Sequence, residues 1–181
     1  MKRYQIALLS FAFGIFTVTS LGIYFINRIG DEIITIQDYQ TEVEYRTVQI
    51  FFSNSAKDPE TLYCDRTYPV SRSVSRLSNN QKSALGEYIY LSLVKLLEGP
   101  SFYEKEDGYF TSINEGTRVQ KIIIENGIAN VDFNIKLNEG VGGSCKVQAI
   151  RSQVTETLKQ FPEIKEVVIS VNGESETILQ P

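Results

Sequence analysis

The sequence predicts an α+β fold: one small mixed sheet with two helices on one face, ordered βαββαβ, preceded by one N-terminal transmembrane helix. Three observations predict it. Apolar residues alternate with period two in "TVQIFFSN" and on both sides of Asn126-Gly127. Two later segments, 78–100 and 144–162, carry apolar residues at helical spacing. Residues 6–26, "IALLSFAFGIFTVTSLGIYFI", contain no charge.

That apolar run reaches about 30 Å as a helix, the thickness of a bilayer's hydrocarbon core. Lys2 and Arg3 precede it, and Asp31 and Glu32 follow soon after Arg28. The positive-inside rule then places residues 1–5 in the cytoplasm and the remainder outside, as a single-pass cell-membrane protein with an extracytoplasmic C-terminal domain. A cleaved signal peptide is the competing reading, but its apolar region is usually shorter, roughly 7–15 residues. No cysteine stands near the end of the run to carry a lipid, so 6–26 reads as an uncleaved signal anchor. Residues 27–46, with five acids and no proline, read as an acidic stalk.

The folded unit is predicted over 47–174. Val48, Ile50 and Phe52 alternate with Gln49, Phe51 and Ser53, and Phe51 suggests partial cover on the second face. Residues 55–67 read as a loop. "TYPVSRSV" reads as a short edge strand, because Pro69 cannot donate to a ladder. In the first helix Ser78 and Gln81 form a capping box. Leu85, Ile89, Ser92 and Leu96, with Tyr88 and Leu93, make its apolar stripe, and Gly99-Pro100 ends it. "SFYEKEDGYFTSINEGT" reads as a long loop. Asn126-Gly127 fits a type I′ hairpin turn between strands carrying Ile122, Ile124, Val131 and Phe133. Ser144 is the expected cap of a second helix with Val147, Ile150, Val154, Leu158 and Phe161 on one face. "KEVVISVNG" is the last strand, and 175–181 a polar tail.

Outside the membrane, two cysteines are most simply one disulfide, so Cys64 and Cys145 are expected to pair. The glycines before Cys145 also suggest a phosphate loop, which the spacing does not support. Lys146 follows Cys145 and precedes Val147, breaking the Walker pattern; Cys145 stands where a dinucleotide fingerprint needs its third glycine. G-x-S-x-G fails at Lys146.

No histidine occurs in the chain. That removes Cys-His and Ser-His catalysis and the commonest general base. Two cysteines without a C-x-x-C pair leave no structural zinc site. Ser92 and Lys95 have a Ser-Lys dyad's spacing, but companion motifs are absent and helix-surface polarity explains them. Glu104, Glu106 and Asp107 lack calcium-loop spacing and read as a solvated acidic loop. Tyr63, Tyr68, Tyr88, Tyr90, Tyr103 and Tyr109 are candidates for stacking on sugars or a partner, or for the core edge. With a net charge of −4 and both signs interspersed, no nucleic-acid footprint is present. No catalytic residue, metal or cofactor is assigned.

Taken in order, the opening strand, "YPVSR", "LLEGP", "DGYFTSINEGT", "NGIANVDFN" and "TLKQFPEIKEVVISVNG" resemble the GerM domain, over roughly Thr47 to Gly173. This family occurs in sporulation and germination lipoproteins and other bacterial envelope proteins. The resemblance implies a compact α/β unit related to ring-building modules, outside the cytoplasm, with no enzymatic activity and a role in assembling envelope complexes. The sequence departs from the family pattern at Asn114, where proline is frequent, and at Asn172, where aspartate is frequent. It also lacks the lipidation cysteine and fits one domain copy. The expected partner is an envelope protein or a second copy of the chain; an envelope glycan such as peptidoglycan is the alternative ligand, and a hydrolase is the remaining class.

Overall fold

A computed structural model describes residues 43–60, 63–77 and 84–180. The cytoplasmic segment 1–5, the anchor 6–26, stalk residues 27–42 and the Ser78–Gln81 capping box lie outside the described residues. Among the described residues no helix is long and apolar enough to cross a membrane. Residues from Val43 onward form one unit of α+β architecture.

Strand β1 (Val43–Asn54) starts four residues before the expected boundary at Thr47. The stalk reading is therefore corrected for residues 43–46. These residues pair with the far half of β2 (Tyr68–Leu77), in an antiparallel register running from Val43–Leu77 to Phe52–Tyr68. Charge extends the pairing past the apolar alternation: Glu44 holds the buried guanidinium of Arg76 at 2.6 Å. Arg46 and Arg76 both lie over the ring of Tyr88, at 5.1 and 5.5 Å. Val48, Ile50 and Phe52 turn inward and are fully buried, and Phe51 is half-buried as its aromatic character suggests.

The first long helix, α1 (Ala84–Leu97), buries Tyr88, Ile89, Ser92, Leu93 and Leu96 and ends at Gly99, whose φ of +76° is the left-handed cap. The expected loop after it is partly ordered. Ser101 and Glu104 form a reciprocal capping box that starts a short helix, α2 (Phe102–Glu106). Strand β3 (Tyr109–Phe110) follows and pairs with Ser53 and Asn54 of β1. Strands β4 (Val119–Glu125) and β5 (Ile128–Phe133) form the expected hairpin, with positive φ at both Asn126 (52°) and Gly127 (82°).

The second long helix, α3 (Ser144–Lys159), buries Val147, Ile150, Val154 and Leu158, with Phe161 just beyond it. Its cap is Gly143, not Ser144. Gly143 has φ +86° and ψ 131°, a glycine conformation, which turns the chain into the helix one residue before the serine. Strand β6 (Glu166–Val171) lies parallel to β5.

One expectation about the sheet is overturned. There are two three-stranded sheets, β2-β1-β3 and β4-β5-β6, and only the second is mixed. Between the sheets, side chains of α3 and of its C-cap Gln160 bond the backbone of β1. The Gln49 N–H donates to Gln160 Oε1 at 2.7 Å and the Phe51 N–H to Thr157 Oγ1 at 3.1 Å, while Gln160 Nε2 donates to the Gln49 carbonyl at 2.7 Å. Polar groups of α3 and the turn after it thus take the edge of β1 that another strand would otherwise pair with. Both long helices consequently touch both sheets: α1 contacts β1, β2 and β4, and α3 contacts β1 and β6.

The polar-tail expectation is also corrected. Ile178 and Leu179 are buried, with the Leu179 N–H donating to Asn138 Oδ1 at 2.8 Å and Arg151 donating to the Ile178 carbonyl at 3.2 Å. Two adjacent apolar residues suffice to dock the segment, although the five residues before them carry no apolar side chain.

Candidate functional site

Two surface features stand out: a cavity beside the disulfide, and an apolar groove along β4. The disulfide joins Cys64 to Cys145, with Cα atoms 4.9 Å apart and 81 positions between them in sequence. It fastens the 55–67 loop to the first turn of α3. The adjacent cavity, about 280 Å³, is lined by Ser53, Asn54, Asp58, Tyr63, Arg66, Phe110, Ser112 and Lys146 with both cysteines.

Local hydrogen bonds shape that cavity. Asn54 Oδ1 accepts from the N–H groups of Ala56 and Lys57, both at 2.9 Å, which turns the chain out of β1. The Ser55 N–H donates to the Gly108 carbonyl at 2.9 Å. The Asp58 carboxylate accepts from the Tyr63 N–H at 3.2 Å, and the Arg66 guanidinium lies 3.9 Å from the Tyr63 ring centroid. Lys146 donates to Asn114 Oδ1 at 3.0 Å, and the Asn114 amide donates to the carbonyls of Lys136 and Glu139. A proline at 114 could make none of these side-chain bonds. Asn172 has φ +50°, a conformation asparagine tolerates. The cavity therefore has aromatic walls with charges of both signs, and its Asn54, Asp58 and Lys146 side chains are engaged in holding loops.

The glycine-rich entry to α3 serves geometry. Gly140 and Gly143 take positive φ, at 62° and 86°, and Gly142 lies between them. Cys145, in the first turn, is committed to the bridge, so it is not a free thiol.

Ser92 is 0% exposed and its hydroxyl donates to the Tyr88 carbonyl at 2.8 Å, whereas Lys95 pairs with Glu98 at 2.8 Å. Serine and lysine are thus separately engaged, which removes the dyad reading. Glu104 is not a solvated acid: Arg72 binds both its oxygens at 2.6 Å. The Arg72 hydrogen bond is the largest cause holding the Glu104 carboxyl down to about 2, opposed by partial burial and aided by Ser101. Glu106 and Asp107 are exposed. Among the described residues no group of three histidine, cysteine or acidic side chains is placed to hold a metal. Of the tyrosines, Tyr88 is core, Tyr68 and Tyr109 flank the Lys57 ammonium at 4.9 and 5.0 Å, and Tyr63, Tyr90 and Tyr103 are exposed. Phe102 joins Tyr103 on α2 in an edge-to-face pair with centroids 5.6 Å apart.

The sequence reading did not find the second feature. Tyr90, Val94 and Leu97 of α1 face Val119, Ile122 and Ile124 of β4 across two adjoining cavities of about 490 and 350 Å³. Strand β4 is the end of its sheet. Its run of three isoleucines was legible, but nothing in the sequence said that no strand among the described residues would meet its outer edge.

Fold and sites together define a disulfide-bridged α+β domain whose distinctive surfaces are a loop-walled cavity and an apolar sheet edge that no strand among the described residues meets. The family model described as "Germane: Sporulation and spore germination" matches residues 23–177, and the chain belongs to that family. Among solved structures, the chain is similar to the tandem GerMN domains of the sporulation protein GerM from Bacillus subtilis (21% identity, TM-score 0.46). That match covers 75% of this chain and 41% of the other, so the chain spans less than half of that tandem structure. The first GerMN domain of the same protein matches at 20% identity and TM-score 0.43, covering 72% of this chain and 85% of the other. A putative lipoprotein from Clostridium perfringens matches at 15% identity and TM-score 0.44, covering 77% and 82%. No curated protein matches.

Proposed function

We propose that the chain is a membrane-tethered, non-catalytic interaction module that scaffolds a protein complex in the bacterial cell envelope. The observation that carries this reading is the β4 edge, which no strand among the described residues meets, with the apolar groove of Tyr90, Val94, Ile122 and Ile124 beside it. Exposed strand edges and apolar grooves are the surfaces on which chains add to one another. Family membership favours an envelope setting, and the engaged Ser92, Lys95 and Cys145 leave those groups to structure. Tethering rests on the apolar segment 6–26.

The test is a photoreactive residue at Tyr90 in the full chain, irradiated in intact cells. A discrete adduct to one envelope protein, or to a second copy, is expected. Absence of any adduct, together with a monomeric chain in solution, would sink the proposal. The glycan reading draws on the exposed Tyr63 and Phe110 at the disulfide cavity. Retention on purified cell wall that Tyr63→Ala abolishes would favour it over scaffolding.

A further inference from the structure

The geometry points to a second copy of this chain as the occupant of the β4 edge, paired antiparallel about a twofold axis through Ile123. This inference rests on the interaction-module reading and specifies its partner.

Hydrogen-bond parity decides which backbone groups of β4 face outward. Glu125 and Ile128 flank a two-residue turn, so they form a hydrogen-bonded pair, and so do Ile123–Asn130 and Lys121–Asp132. The N–H and C=O groups of these β4 residues point toward β5. Those of Ile122 and Ile124 therefore point outward, where no strand among the described residues meets them. Two copies placed antiparallel with Ile123 opposite Ile123 bring Ile122 of one chain opposite Ile124 of the other. The outward groups then form two reciprocal hydrogen-bonded pairs, and a six-stranded sheet results.

Charge selects the same register. It sets Lys121 opposite Glu125 of the second copy, twice by symmetry. Within its own sheet Glu125 faces Ile128, an apolar residue, and Lys121 faces Asp132. The pairing gives Glu125 a cation and places each Lys121 between two acids. On the outer face the half-buried Ile123 side chains meet. On the inner face Ile122 and Ile124 extend the apolar groove into the neighbouring copy. The longest edge strand, β2, offers no such match: it carries Pro69, Arg72 and Arg76 and no acid.

The full chain is tested in its membrane, with the Cys64–Cys145 bridge confirmed in every variant. Ile123→Cys should give a covalent dimer under mild oxidation, because directly opposed side chains lie within about 5.5 Å. Lys121→Cys should not, since its copies sit four positions out of register, about 13 Å apart. In detergent, Lys121→Glu should weaken self-association at least about tenfold, and adding Glu125→Lys should restore it. Linkage at 121 as readily as at 123, failure of the double reversal to restore association, or a monomer throughout would each overturn the inference. If position 123 does not link while the Tyr90 probe captures a different envelope protein, the twofold pairing falls and the scaffold reading stands. If neither happens, both fall.

Discussion

Replacing Glu104 with glutamine separates charge from shape at the joint between α2 and β2. Glutamine keeps the capping box, since its side-chain oxygen can still accept from the Ser101 N–H, a bond that is 2.7 Å with glutamate. What is lost is the charge facing Arg72 and one of its two acceptors, because the amide nitrogen takes the place of the oxygen that accepts from Arg72 Nη1 at 2.6 Å. The carboxyl is held at about 2 against an ordinary value of 4.5. A difference of that size corresponds to about 3 kcal/mol at neutral pH as a ceiling. Both side chains of the pair are about one-fifth exposed, at 20% and 19%, so solvent screening reduces the expectation to about 1–2 kcal/mol. The sign follows from linkage. The folded-state value is depressed, so the stabilisation is fully present above the unfolded value and is lost as pH falls toward the folded one. Urea unfolding of both chains, followed by near-ultraviolet circular dichroism, should show the wild type more stable near neutrality. The gap should shrink below about pH 4.5 and almost close near pH 2. A gap that stays constant across that range, or no gap at neutrality, would refute the assignment.

Other consequences are equally direct. Cys145→Ser frees a loop of 81 positions, and loop-closure entropy sets an upper bound of about 4–5 kcal/mol on the loss, read from denaturation midpoints without reductant. Gln160→Ala strips the partner from the Gln49 N–H; a cost of about 1–3 kcal/mol is expected, with faster amide exchange at Gln49. Gly108→Ala should destabilise by more than about 1 kcal/mol, because φ is +86° and the new Cβ would lie 2.9 Å from the Ala56 nitrogen. A thermal midpoint unchanged from wild type would contradict that packing.

Patterns that depend on neighbours in sequence were legible. The alternation of Val48, Ile50 and Phe52, the Asn126-Gly127 turn, the α3 stripe and the Gly99 stop all follow from local rules, and the structure places them as those rules require. The cysteine pairing came from parity and compartment. What was not legible depended on partners distant in sequence. Thr157 and Gln160 look like ordinary polar helix positions until the β1 backbone is placed against them. Glu44 reads as stalk until Arg76 faces it. Ile178 and Leu179 read as tail until Asn138 and Arg151 receive them. The Ser101–Glu104 capping box is an exception: its S-x-x-E signal was local, and the surrounding acids obscured it. At the candidate sites, the cysteines and the aromatic residues could be named, but not that β4 would end its sheet.

The cover that α3 and its following turn give β1 also has a consequence in time. The groups that satisfy the edge of β1 lie 106 and 111 positions downstream of Phe51 and Gln49. A chain emerging N-terminus first therefore carries a bare strand edge until Thr157 and Gln160 have been made. The hairpin with β2 can form early, since its partners are near in sequence, and β3 takes only Ser53 and Asn54 on the other side; the rest of that edge, at Gln49 and Phe51, stays open until α3 arrives. Contacts of such long range slow folding and prolong exposure to wrong pairing. Variants that delay α3 should thus aggregate during folding more than their final stability would indicate, with β1 the strand found in the aggregates.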